Sequence, residues 1–135
     1  MTDAMTYPVL ELSAGHLIVV HGDGELRRWS RAGLRVGWHH DLVIIDAELR
    51  RWAATLLRAR PGGLVGWLQG RVIADLSLGE PTAVELEYVQ RQVFDVFDRV
   101  PDLWDADGLL AERRRAIRQA HDMRQLIEAL ETSIL

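Results

Sequence analysis

The chain has 135 residues, a formal net charge of −4, no cysteine, and 48% apolar residues. That is one domain's worth of sequence with enough apolar matter for a packed core, and it leaves no disulfide framework or thiolate metal site. The acidic balance argues against a phosphate-backbone binder, whose affinity comes mostly from a basic face.

Pro8 to Leu12 is short, apolar and extended in character, and Ser13-Ala14-Gly15 breaks it. Leu17, Ile18, Val19 and Val20 then read as a buried strand within His16–His21. Gly22-Asp23-Gly24 predicts a tight hairpin turn, with Leu26 to Trp29 as the returning strand. Ala32 to Gly37 reads as a loop or short strand between glycines, and Leu42-Val43-Ile44-Ile45 is the best central strand. Leu49, Trp52, Ala53, Leu56 and Leu57 recur at helical spacing, while a hairpin partner for 42–45 is also possible. Pro61-Gly62-Gly63 ends that segment. A Gly- and Trp-containing loop over Leu64 to Gly70 and a strand over Arg71 to Leu78 follow.

The chain then turns helical. Thr82-Ala83-Val84-Glu85 has the form of a capping box, and Val89, Val93, Val96, Phe97 and Val100 make an apolar stripe closed by Pro101. Asp105 or Asp107 can cap a second helix through Leu109 to Ala120, and Asp122 with Gln125 a third through Leu126 to Leu130. The expected fold is therefore α+β, a single domain over 1–135. An N-terminal antiparallel sheet of four to six strands (1–78) carries two or three C-terminal helices packed on it (79–135). No apolar run reaches about 18 residues, so no membrane span is expected. Residues 1–15 lack a basic start followed by an apolar stretch, so no secretory leader is expected either, and the expected location is cytoplasmic.

Catalytic and cofactor motifs are weak. His39-His40-Asp41 offers ligand types suited to zinc, but neighbours on an extended segment point to opposite faces, which favours a polar loop. Ser13, Ser30, Ser77 and Ser133 sit in no Gly-x-Ser-x-Gly elbow, and no Gly-Lys-Ser/Thr follows Gly24 to make a phosphate cradle. No cofactor or metal is expected. Arg113-Arg114-Arg115 would fan around a helix rather than form a nucleic-acid stripe. All basic residues are arginine, which reads as the codon bias of a GC-rich genome. Among five tryptophans, Trp38 and Trp67 lie in Gly-flanked contexts where an exposed ring can anchor a protein interface.

Charge segregation is the most informative pattern. Residues 25–60 carry eight Arg against four carboxylates, whereas residues 80–107 carry eight carboxylates against Arg91 and Arg99. The two regions can neutralise each other or be solvated, or the acidic one can steer a basic protein partner. On that last reading the contact residues are Glu85, Asp95, Asp98, Asp102, Asp105 and Asp107, with Trp38 and Trp67.

Gly33-Leu34-Arg35-Val36-Gly37 followed by Leu42-Val43-Ile44-Ile45-Asp46 resembles an opening that recurs in immunity proteins of bacterial polymorphic-toxin and contact-dependent growth inhibition systems. Arg71 to Leu76, the helix after Thr82 and the Ala120 to Leu130 segment continue the resemblance, which spans about residues 25–131. It implies a strand after Asp46, and it departs from the pattern at Asp46-Ala47-Glu48-Leu49, which lacks the hairpin glycine. It further implies a non-enzymatic protein that neutralises one toxin domain with a basic surface by tight binding. A self-assembling adaptor and a small enzyme with an unrecognised site are the alternatives.

Overall fold

A computed structural model of the chain describes residues 5–13, 15–37 and 40–131. The strands are β1 (Val9–Ser13), β2 (His16–Val20), β3 (Arg28–Ser30), β4 (Val43–Ile45), β5 (Arg50–Pro61), β6 (Arg71–Leu78) and β7 (Thr82–Ala83). Short helices α1 (Asp23–Leu26), α2 (Arg31–Arg35) and α3 (Leu64–Leu68) lie among them. Then come α4 (Leu86–Arg99), the one-turn α5 (Pro101–Trp104), α6 (Leu110–Gln119) and α7 (Met123–Glu131). The fold is α+β, an antiparallel sheet followed by helices.

The strand order is β2-β1-β4-β5-β6-β3, with β7 added beside β5. β5 is long enough to serve both halves: Arg51 to Ala53 pair with β4, and Ala54 to Pro61 pair with β6. A register shift between Leu56 and Arg58 leaves Leu57 unpaired as a bulge. Such a bulge sharpens the local twist, and the sheet curls. The curl shows in its packing: Val20, near one end, and Trp29 and Val72, at the other, share one buried cluster with Ile44 and Trp52. β2 and β3 are thus the two edges of a sheet bent toward itself.

Strand alternation sends a second set of side chains the other way. Leu10, Leu12, Leu17 and Ile45 meet Val89, Val93, Val96 and Phe97 of α4, Ile117 of α6, and Leu126 and Ile127 of α7. The α4 positions recur at helical spacing and form the stripe expected from the sequence. Each such side chain, taken from water, contributes about 1.5–3 kcal/mol. The helix starts are polar. Asp107 Oδ1 accepts from the Leu109 amide (3.1 Å) and Asp105 Oδ1 from the Leu110 amide (3.2 Å) ahead of α6. Asp122 Oδ1 accepts from the Gln125 amide (2.8 Å), while Gln125 Oε1 accepts from the His121 amide (2.7 Å).

Several local expectations are corrected. Gly22-Asp23-Gly24 makes no hairpin: Asp23–Leu26 form a helical turn, because Arg28–Ser30 pair with β6 and the chain must cross between the sheet's edges. Asp23 and Glu25 favour that turn's N-terminus. Residues 31–35 are helical because Ser30 Oγ caps them, accepting from the Gly33 amide at 2.9 Å. The predicted loop after Gly63 contains α3, and Gly70 follows it at φ +77°. Thr82 is a strand residue opposite Arg51 and not a helix cap; α4 starts from Glu85. The β4–β5 hairpin forms without glycine, with Leu49 at φ +59°.

Candidate functional site

Glu85, Asp95, Asp98, Asp102, Asp105 and Asp107 are all exposed, on or beside α4 and α5 and in the turn before α6. They do not behave alike. Asp98 Oδ1 lies 2.6 Å from Arg114 Nη2, and the same guanidinium sits over the Phe94 and Phe97 rings at 5.8 and 5.6 Å. Asp107 holds Arg113 through both oxygens, Oδ1 accepting from Nη1 at 2.8 Å and Oδ2 from Nη2. Arg113 Nη1 also donates to the Trp104 carbonyl at 2.9 Å. The Arg113 hydrogen bond holds the Asp107 carboxyl below the usual carboxylate range. Asp98 and Asp107 therefore brace α4 and the 105–109 turn against α6. Asp105 caps α6.

Asp95, Asp102, Glu85 and Glu87 form no ion pair with a described residue. The basic 25–60 segment does not neutralise them either. Four of its eight arginines are served locally: Arg27 by Asp23, Arg50 by Asp46 and Glu48, and Arg58 and Arg60 by Asp75. Asp95 opens onto a cavity of about 310 Å³ between α4 and the sheet, lined also by Asp41, Arg51, Tyr88, Gln92 and Arg99. Trp38 lies outside the described residues, as does the side chain of Trp67, whose backbone is in α3.

The His39-His40-Asp41 cluster falls partly outside the described residues, and among those described no group of metal-ligand side chains converges. A different constellation is present that sequence reading missed. His16 Nε2 faces Glu11 Oε1 at 3.4 Å, both residues buried, and Ser13 stands opposite His16 in the β1–β2 ladder. Ser13 Oγ, however, is buried without a hydrogen-bond partner. Ser13 is thus adjacent to the His16–Glu11 pair, but its hydroxyl is not bonded to it as a nucleophile relay requires. A charged residue amid apolar neighbours in Val9-Leu10-Glu11-Leu12 was the available signal.

Glu11 and His16 also line an open groove of about 1020 Å³ at the seam between the sheet's edges. β3 and β6 supply its opposite wall, and Val65 of α3 and Leu103 of α5 border it. No helix among the described residues is long and apolar enough to cross a membrane. Comparison of the chain with protein-family models, with curated proteins and with solved structures finds no match.

Proposed function

We propose that the chain is a non-enzymatic protein-binding domain that neutralises a cognate bacterial toxin domain with a basic surface, acting in the cytoplasm. The observation carrying this reading is the division of labour among the acidic residues. Asp98 and Asp107 are spent on bracing the helices, which leaves Asp95, Asp102, Glu85 and Glu87 without an ion pair among the described residues. Fixed, unneutralised charge steers an oppositely charged partner and fixes its register. The resemblance to immunity proteins supplies the class of partner, and a Ser13 hydroxyl that is not bonded to the His16–Glu11 pair favours binding over turnover. Relative to the sequence reading, the proposed contact narrows to Asp95, Asp102 and Glu85 and gains Glu87.

The test is protection. Cells expressing a toxin domain encoded beside this chain should survive when the chain is co-expressed and die when it carries D95R and D102R together. Survival with the double variant at equal protein level would remove the acidic face from the reading. Death despite the unaltered chain would remove the neutralising role.

A further inference from the structure

We propose that the seam groove binds one amphipathic carboxylate, its apolar tail along the groove and its head group on Arg28 and Arg71. The proposal is independent of the toxin-binding reading and concerns a different face.

The ladder places the cations. Arg28 stands opposite Ile73, which in turn stands opposite Arg60, and Ser30 stands opposite Arg71. Directly paired residues share a face, so Arg28 and Arg71 are diagonal neighbours on one side of β3 and β6, about 7–8 Å apart at the backbone and within reach of one head group. Like charges so placed repel. The carboxylate of β6, Asp75, is occupied by Arg58 at 2.8 Å and Arg60 at 3.5 Å. Neither Arg28 nor Arg71 has an ion pair with a described residue, and both are exposed at the groove wall. An anionic head group relieves that repulsion and accepts from both guanidinium groups.

The rest of the groove is wrong for a free small anion. Ile73 shares the arginines' face, Ile18 stands across the seam, and Val65 and Leu103, each 68% exposed, form the rim, whereas Trp29 and Val72 point to the other face into the core. Trp104 adds ring surface. Its volume is at the upper end of what single small ligands occupy, about 300–1,000 Å³. A hydrocarbon tail would bury this surface at about 25 cal/mol per Å². Glu11, the carboxylate inside the groove, is already engaged by His16 at 3.4 Å. The cation pair at one wall and the apolar lining together specify a ligand charged at one end and greasy at the other. A nucleic-acid strand matches the arginines but not the aliphatic rim.

The experiment is titration of the full chain with dodecanoate below its micellar concentration, followed by tryptophan fluorescence and calorimetry. Saturable one-to-one binding is expected, weakened about tenfold or more in R28A/R71A and for dodecanol on the unaltered chain. V65D, at an exposed position that spares the fold, should weaken dodecanoate and dodecanol alike. The proposal is overturned if dodecanoate does not saturate, or if dodecanol or dodecyltrimethylammonium binds as well. It is also overturned if R28A/R71A binds unchanged, or if the chain prefers an oligothymidylate or anionic phospholipid vesicles to free dodecanoate.

Discussion

The Trp52 indole N–H donates to Asp46 Oδ2 across 3.1 Å, and both residues are buried. The same carboxylate accepts from Arg50 Nε at 2.9 Å and, through Oδ1, from the amides of Glu48 and Arg50 at 3.0 Å each. Asp46 thus closes the β4–β5 turn from within, which is how the chain makes this hairpin without glycine. An αL conformation at Leu49 costs about 1–2 kcal/mol, and the hydrogen bonds converging on Asp46 outweigh it. Asp46→Ala is expected to destabilise the fold by about 3–5 kcal/mol, since it strands buried donors that Asp46 now satisfies. Trp52→Phe should lose about 1–2 kcal/mol. Urea unfolding of the single and double variants checks both, and additive losses would show that the pair does not act as a unit.

Phe97 anchors the helical layer. It is fully buried between α4 and its neighbours, with the Trp104 ring centroid 4.9 Å away. Phe97→Ala is expected to lower stability by about 3–5 kcal/mol. The far-UV spectrum at low temperature should stay native, and the unfolding midpoint is the readout.

Acid should loosen the 105–113 brace and the β5–β6 ladder together. Hydrogen bonds from Arg113 and from Arg58 hold the Asp107 and Asp75 carboxyls below the ordinary value. A depressed folded-state pKa means that the stability these groups add is complete above about pH 4 and is lost as pH falls through the depressed values. Thermal midpoints of D75N/D107N should therefore vary less than those of the unaltered chain between near-neutral pH and about pH 3. Equal pH dependence of the two proteins would contradict this.

Much of the fold was legible where pattern and environment agree. The Leu42–Ile45 run and the Val89, Val93, Val96 and Phe97 stripe are written in residues that reach the core from their own element. Gly22-Asp23-Gly24 misled because a hairpin turn and a helical turn use the same residues, and the choice was made by the partner of β3, more than 40 residues away. Thr82 satisfies the form of a cap, but its backbone is drawn into pairing with Arg51. The acidic segment could be read directly, whereas its sorting could not. Asp98 meets Arg114 across 16 positions, a contact set by how α4 and α6 pack. The seam groove was invisible because it exists only once the sheet curls.

On the proposed function, the carboxylates of α4 and α5 that form no ion pair with a described residue draw in a basic toxin domain. The most direct measurement is the association rate of the chain with the toxin domain encoded beside it, at low and high salt, for the unaltered protein and for D95R/D102R. The unaltered chain should associate fast and slow steeply with salt, and the variant should associate about tenfold more slowly with a flattened salt dependence. Identical association rates for the two proteins at every salt concentration would contradict the claim.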